Sequence, residues 1–224
     1  MHSELLNYLS TLITPERLKL FDRIIEDRTR YITVVLEDIF QSQNASAVLR
    51  SCDCFGIQDV HIIENRNKFT LDTEVSLGSS KWLTMKKYNK KENNSLNAIK
   101  QLKKQGYKIV ATTPHINDLE LNNFNITSQK TALVFGSELP GVSEIIMNEA
   151  DEFLKIPMYG FTESFNISVS AAIILHHLTL KMRNSEVKWH LNDVEKTEIK
   201  LQWLRNSIKK VKLIEKHFLE NQGK

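Results

Sequence analysis

The chain is 224 residues long, 41% hydrophobic and 25% charged, ordinary proportions for a globular protein and ample length for one generous core. Thirty Lys and Arg stand against 27 Asp and Glu, a net charge of +3; no apolar run approaches the roughly 20 residues that span a bilayer, and residues 1–10 lack the basic start and apolar centre of a secretory signal. Neither a membrane-spanning helix nor a secretory signal is expected, and the expected compartment is the cytoplasm.

After a short apolar segment, Thr14-Pro15-Glu16 offers a capping hydroxyl, a proline for the first turn and an acid for the positive end of the helix dipole. This predicts a helix from Pro15 to about Thr29. YITVVLED reads as a buried strand and NASAVLRSCDCFG as a helix stopped at Gly56. Its two cysteines, Cys52 and Cys54, would point to different sides, as reduced packing residues and not as a metal pair. DVHIIE is the next strand, and KWLTMKKY another after an irregular loop. NNSLNAIKQLKKQG is a helix with polar caps that ends at Gly106 and feeds the strand YKIVATT. TALVFG is a strand ending at Gly136, SEIIMNEA a short helix, DEFLKIPM a strand and SFNISVSAAIILHHL a long helix, on which His176 and His177 read as core or boundary residues. The alternation predicts an α/β fold, a mostly parallel sheet with helices on both faces.

Residues 182–194 are polar and read as a linker. Beyond them Ile199, Leu204, Ile208, Val211, Ile214 and Phe218 recur at three- to five-residue steps, which predicts one amphipathic terminal helix carrying Lys209, Lys210, Lys212 and Lys216. From Lys181 to Lys224 eleven Lys and Arg face six Asp and Glu, whereas the first 30 residues balance at zero. The expected layout is a helical extension over 1–30, a core over 31–182 and a basic helical extension over 183–224. A basic tail on a near-neutral body suits an anionic partner such as RNA; a solvated lysine face is the plain alternative.

Three strand-to-loop junctions are dense in polar groups. In QSQNASAVLRSCDCFG, Asn44 either caps the helix or serves a site, and Arg50, set among small and apolar residues, is expected to be partly buried and to need an anion or acceptor. VFGSELPGVS has the Gly136-x-x-x-x-Gly141 spacing of a phosphate loop, but Val142 stands where the phosphate-reaching lysine belongs, so a nucleotide triphosphatase is disfavoured. What remains there is a strand ending at a glycine that admits close backbone approach, followed by Glu138 on a turn. IPMYGFTESFN joins a strand to the long helix, in the position where α/β proteins hold ligands, although Ser164 or Asn166 as a simple helix cap is equally open.

Taken in order, NASAVLRSCDCFG, FGSELPG and IPMYGFTESFNISVSAAI resemble the three motifs of the SpoU/TrmH family of RNA ribose 2′-O-methyltransferases, in the SPOUT superfamily. The resemblance covers roughly residues 32–178. GSSKWL and the short helical extensions are most similar to the TrmH branch, which methylates guanosine-18 in the D-loop of tRNA. The resemblance implies a deep trefoil knot towards the C-terminal part of the core, a homodimer with sites completed across the knot interface, and bound S-adenosyl-L-methionine, with no metal and no membrane. It places Thr112, Gly136, Ile156, Met158, Ser164 and Phe165 at cofactor positions, and Asn44, Arg50, Glu138 and Asn166 in the polar catalytic set. Arg17, Arg23, Arg28 and Arg30 of the first helix, with Lys209, Lys210 and Lys212, are candidate tRNA phosphate contacts.

The chain departs from the family pattern at Gln43, where a histidine is common, at Pro140, where tryptophan or a small residue is frequent, and at Phe165, which replaces a leucine. None of these removes a member of the catalytic set. Two other functions stay open: the same chemistry on another tRNA position or on rRNA, and a non-catalytic RNA-binding scaffold.

Overall fold

In the computed structural model, which describes residues 2–114 and 119–222, the apolar runs of the middle of the chain pair into one sheet. Its strands are β1 (Ile32–Glu37), β2 (Asp59–Ile63), β3 (Thr84–Tyr88), β4 (Lys108–Thr112), β5 (Leu119–Glu120), β6 (Thr131–Phe135) and β7 (Glu152–Lys155). Their order is β3-β2-β1-β6-β4-β7-β5, and every pairing is parallel. The helices are α1 (His2–Ser10), α2 (Pro15–Ile25), α3 (Ser42–Cys54), α4 (Thr73–Ser76), α5 (Asn94–Lys104), α6 (Glu144–Glu149), α7 (Ile167–Arg183), α8 (Asp193–Ser207) and α9 (Val211–Gln222).

The chain divides into two compact units, Thr29–Trp189 and a second made of Met1–Arg28 with His190–Lys224. In the first, side chains alternate across β1 as the pleat requires. Val34 and Leu36 pack with Val48, Leu49, Ile174 and Leu178 of α3 and α7, whereas Val35 packs with Ala98, Ile99 and Leu102 of α5 and Ile146 of α6. All six residues of β1 are buried, because a central parallel strand is covered on both faces.

Sheet order sets the place of any site. From β1 the chain moves out one way to β2 and β3, then returns to build β4 and β6 on the other side, so the strand order reverses between β1 and β6. Loops leaving the carboxyl ends of two strands at such a reversal diverge and open a crevice. Leu36 registers with Phe135 and Glu37 with Ile63, so the loops after β1, β2 and β6 start at one level.

The terminal unit holds its own apolar contacts: Trp203 is fully buried edge-on to Phe21, with ring centroids 5.3 Å apart, and Tyr8 stacks on Phe218 at 4.8 Å. Thr14 caps α2 as expected, accepting from the Arg17 amide, but the helix stops at Ile25. The initial apolar segment is itself helical. The expected single terminal helix is two, α8 and α9, parted where Ile208 is extended and Lys210 takes a left-handed φ of 55°. The buried residues of α8 include Leu201 and Trp203, outside the predicted stripe. The predicted linker begins later, since α7 carries Met182 into the core, and it is tied down by Trp189, whose carbonyl accepts from Thr29 Oγ1 at 2.7 Å. Cys52 is buried but Cys54 is exposed, and His176 is exposed, edge-on to Phe55. Among the described residues no helix is long and apolar enough to cross a membrane.

Candidate active site

The segment after β6 turns back on itself: Ser137 bridges Gly141, and the Gly141 amide donates to the Ser137 carbonyl at 3.1 Å. A Cβ on Gly136 would lie 2.2 Å from the Gly141 carbonyl carbon and 2.3 Å from the Val142 nitrogen. The close approach foreseen at Gly136 is therefore made by its own loop. This folding projects Glu138 over the carboxyl edge of the sheet.

Asn44 does not cap α3. The helix starts at Ser42, Gln41 occupies the capping position without a side-chain cap bond, and Asn44 lies in the first turn, buried. Its amide is aimed across the crevice, where Nδ2 donates to Glu138 Oε1 at 2.8 Å and to Gln41 Oε1 at 2.9 Å. Asn166 caps α7 through Oδ1, which accepts from the Ser168 amide at 2.8 Å and the Ser168 hydroxyl at 2.6 Å. Its Nδ2 then donates to Asn44 Oδ1 at 3.0 Å and to Glu138 Oε1 at 3.1 Å. Three predicted residues separated by up to 122 positions thus form one closed triad. For Asn166 the cap and the site are the same residue, with the two ends of its amide doing different work.

Two cavities flank the 136–142 turn. The first, of about 740 Å³, is lined by all six predicted cofactor residues, Thr112, Gly136, Ile156, Met158, Ser164 and Phe165. The second, of about 1030 Å³, lies among the loops after β1, β2, β3 and β6. Asn166 lines the first, Asn44 the second and Glu138 both. The triad stands where the two meet.

Arg50 is not part of it. Six residues beyond Asn44 is about 9 Å along the axis and about 240° around it, and the buried side of α3 is made by Ala45, Val48, Leu49 and Cys52. Arg50 falls on the other side, exposed, and makes no hydrogen bond or ion pair among the described residues. The expectation of partial burial fails because it was drawn from sequence neighbours, which do not share a helix face.

The RNA-contact candidates also separate. Arg17, Arg23, Lys209, Lys210 and Lys212 are exposed. Arg28 is 3% exposed, its guanidinium 5.4 Å from the centre of the Trp203 ring, and Arg30 is half-buried in an ion pair with Asp59 at 3.1 Å. Both are committed inside the fold.

The framework of the second cavity rests on a residue that no motif marks. Glu37, 2% exposed at the end of β1, accepts from the Ser143 amide at 2.8 Å, the Ser143 hydroxyl at 2.7 Å and the Ser95 hydroxyl. It ties the starts of α5 and α6 to β1. An acid closing an otherwise apolar strand was the available signal, since a buried carboxylate must find donors. Among the described residues no group of three His, Cys, Asp or Glu could hold a metal.

Residues 31–176 match the SpoU rRNA Methylase family. The chain belongs to that family. This SpoU family member is 44% identical over 207 residues to the tRNA (guanosine(18)-2'-O)-methyltransferase of Borreliella burgdorferi, covering 92% of this chain and 93% of that one. It is 33% identical over 162 residues to the enzyme of the same name from Thermus thermophilus, covering 72% and 81%. Among solved structures it is similar to the A. aeolicus TrmH/SpoU tRNA modifying enzyme, with a TM-score of 0.76 and 28% identity over 87% of this chain and 98% of that one. The SpoU match ends within α7, and its span includes Asn44, Glu138 and Asn166.

Proposed function

We propose that the protein methylates a ribose 2′-hydroxyl of tRNA, that of guanosine-18 in the D-loop, with S-adenosyl-L-methionine as methyl donor. The observation that carries this reading is the Asn44–Glu138–Asn166 triad standing between two cavities, one for each reactant. The 44% identical relative over nearly the whole of both chains supports the tRNA position.

The first cavity has the chemistry the donor needs. Ile156, Met158, Phe165 and Ile174 offer apolar surface for an adenine, Thr112 and Ser164 are polar partners for a ribose, and Glu138 adds a carboxylate to the lining, which suits a ligand that carries positive charge. When bound, S-adenosyl-L-methionine supplies a methyl carbon made electrophilic by positively charged sulfur. The protein has then to orient the hydroxyl and help it lose its proton. Asn44 and Asn166 both donate to Glu138 Oε1, which fixes the carboxylate and leaves Oε2 to accept from the hydroxyl. Arg50 grips a neighbouring phosphate and steadies negative charge building on the 2′-oxygen, which suits a guanidinium better than proton abstraction.

Because Arg50 lies apart from the triad within one chain, this role goes with a homodimer whose sites are completed by the second copy. Leu139, Tyr159 and Phe161, nearly fully exposed on the two loops of the site, support such an interface. The 156–166 loop is the segment a trefoil knot would use. We place the enzyme in the cytoplasm, with Arg17, Arg23, Lys209, Lys210 and Lys212 on tRNA phosphates.

The test is incubation with S-adenosyl-L-methionine and unmodified tRNA transcript, followed by digestion and mass spectrometry. The expected product is 2′-O-methylguanosine at position 18, lost when that nucleotide is 2′-deoxy. Methylation elsewhere on tRNA or only on rRNA would overturn the substrate, and methylation of neither would overturn the enzyme. Arg50→Ala is expected to abolish turnover while leaving donor binding intact.

A further inference from the structure

The second cavity is bounded by side chains for which the triad chemistry has no use. Phe40, in the turn between β1 and α3, lines it and is 78% exposed. It belongs to neither apolar cluster of the core. Arg66, in the loop after β2, lines the same cavity, and its guanidinium makes no hydrogen bond or ion pair among the described residues.

These two side chains share a rim that is built to hold still. Asp38, two residues before Phe40, has a left-handed φ of 51°, a conformation uncommon in non-glycine residues, tolerated better by Asp than by most and held here by its surroundings. The enforcement is visible: Asp38 Oδ1 accepts the backbone amides of Asn65, Arg66 and Asn67 at 2.7, 2.8 and 3.3 Å, and the Asp38 carbonyl accepts from Asn67 Nδ2 at 2.8 Å. One residue thereby couples the turn that carries Phe40 to the loop that carries Arg66. Asp38 itself is consumed by these bonds.

We propose that the second cavity receives the acceptor nucleoside swung out of its stack, with its base lying on the Phe40 ring and an adjacent phosphate on Arg66. The inference rests on the methyltransferase reading, because the hydroxyl must reach Glu138 from the side opposite the donor. A base drawn out of RNA loses its stacking neighbours and regains them on an aromatic face. An exposed phenyl ring on the same lining as Gln41, whose Nε2 makes no hydrogen bond among the described residues, offers that surface together with an edge partner. The lining also includes Glu92 and Glu144, so the cavity would repel a run of phosphates and suits one nucleoside. The fork of an arginine is matched to one of the two phosphates that flank that nucleoside, the other being left to Arg50.

The experiment uses the full chain and unmodified tRNA. Phe40→Ala is expected to raise KM for tRNA about ten-fold or more, with KM for the methyl donor, thermal midpoint and oligomeric state unchanged. Phe40→Trp is expected to restore KM, and its added indole fluorescence to be quenched by tRNA relative to the same titration of wild type. Arg66→Gln is expected to raise KM for tRNA and to lower the salt slope of binding by about one phosphate contact. A KM for tRNA within two-fold of wild type in Phe40→Ala, or a change of oligomeric state in place of a change in KM, would overturn the inference and assign the ring to another contact. Quenching is read from binding alone; if the indole is quenched while wild type methylates no RNA, the stacking site stands and the methyltransferase reading is what fails.

Discussion

Asn166 closes the triad with one end of its amide and caps α7 with the other, so a single substitution should show two separable losses. Asn166→Ala removes the cap, worth about 1 kcal/mol, and should lower the thermal midpoint by about 2–4 °C. It also removes both Nδ2 donors, and methyl transfer should fall by about a hundred-fold or more. Asn166→Ser restores a capping oxygen but no donor toward Asn44 or Glu138; its midpoint should recover while its activity does not. Thermal melts and initial rates on the two variants decide this, and recovery of activity in Asn166→Ser would mean that the residue only holds the helix. His61 illustrates the opposite case, a titratable side chain away from the chemistry. Burial, helped by the charge of Lys86, pushes it down from 6.5 to about 4, and its Nδ1 lies 2.9 Å from the Tyr88 hydroxyl. The unfolded chain therefore binds a proton at His61 that the folded chain refuses between about pH 4 and 6.5. Its contribution is complete above pH 6.5 and is lost as pH falls through that window, by about 3 kcal/mol in all. Urea midpoints at pH 7.5 and 5 should drop less in His61→Phe than in wild type. Sequence reading brought Asn44, Glu138 and Asn166 together by motif, but could not see how they touch. Helix starts are set by local backbone within two residues, and that margin decided whether Asn44 faces its own helix or the crevice.

At the scale of elements, the site depends on a turn that admits no side chain at its first residue. Gly136→Ala would force a Cβ against backbone atoms 2.2–2.3 Å away, so the turn cannot keep its path. Glu138, two residues on, should leave the triad. The thermal midpoint is expected to fall by about 5–10 °C, and activity to be lost even where the protein remains folded, because the amides of Asn44 and Asn166 would no longer share an acceptor. A melt and an initial-rate assay check this; unimpaired turnover would show that the turn tolerates a different path. The glycine was legible as a strand end, but its reason was not, since the clash is with residues that approach only once the turn has closed. Local punctuation does set element ends: Gly56 and Gly106 close helices at φ of 78° and 82°, and Thr14 caps α2. The break between α8 and α9 carries no glycine or proline, and periodicity ran straight through it.

For the whole chain, alternation of strands and helices was enough to expect a parallel α/β sheet, but not its order. Which strand lies beside β1 depends on contacts about a hundred residues apart, such as Leu36 with Phe135, and no local pattern encodes them. Charge is the property that sequence does carry at this scale. Eleven cations against six acids lie between Lys181 and Lys224, and Lys209, Lys210 and Lys212 are exposed where α9 begins. Each phosphate that such a residue neutralises releases counterions, so the affinity for tRNA should fall with salt, with a log–log slope of about −0.7 to −0.9 per contact. Replacing all three lysines by glutamine should flatten that slope by about 2–3 units, with the thermal midpoint and donor affinity unchanged. Arg28→Gln is the control within the same basic set: its guanidinium lies over Trp203, nearly out of solvent, so it should lower the midpoint and leave the slope alone. Titrations of labelled tRNA at several salt concentrations separate the two. A slope unmoved by the triple substitution would remove this part of the tail from the tRNA contacts, and a slope flattened by Arg28→Gln would mean that the arginine leaves its ring to reach the nucleic acid.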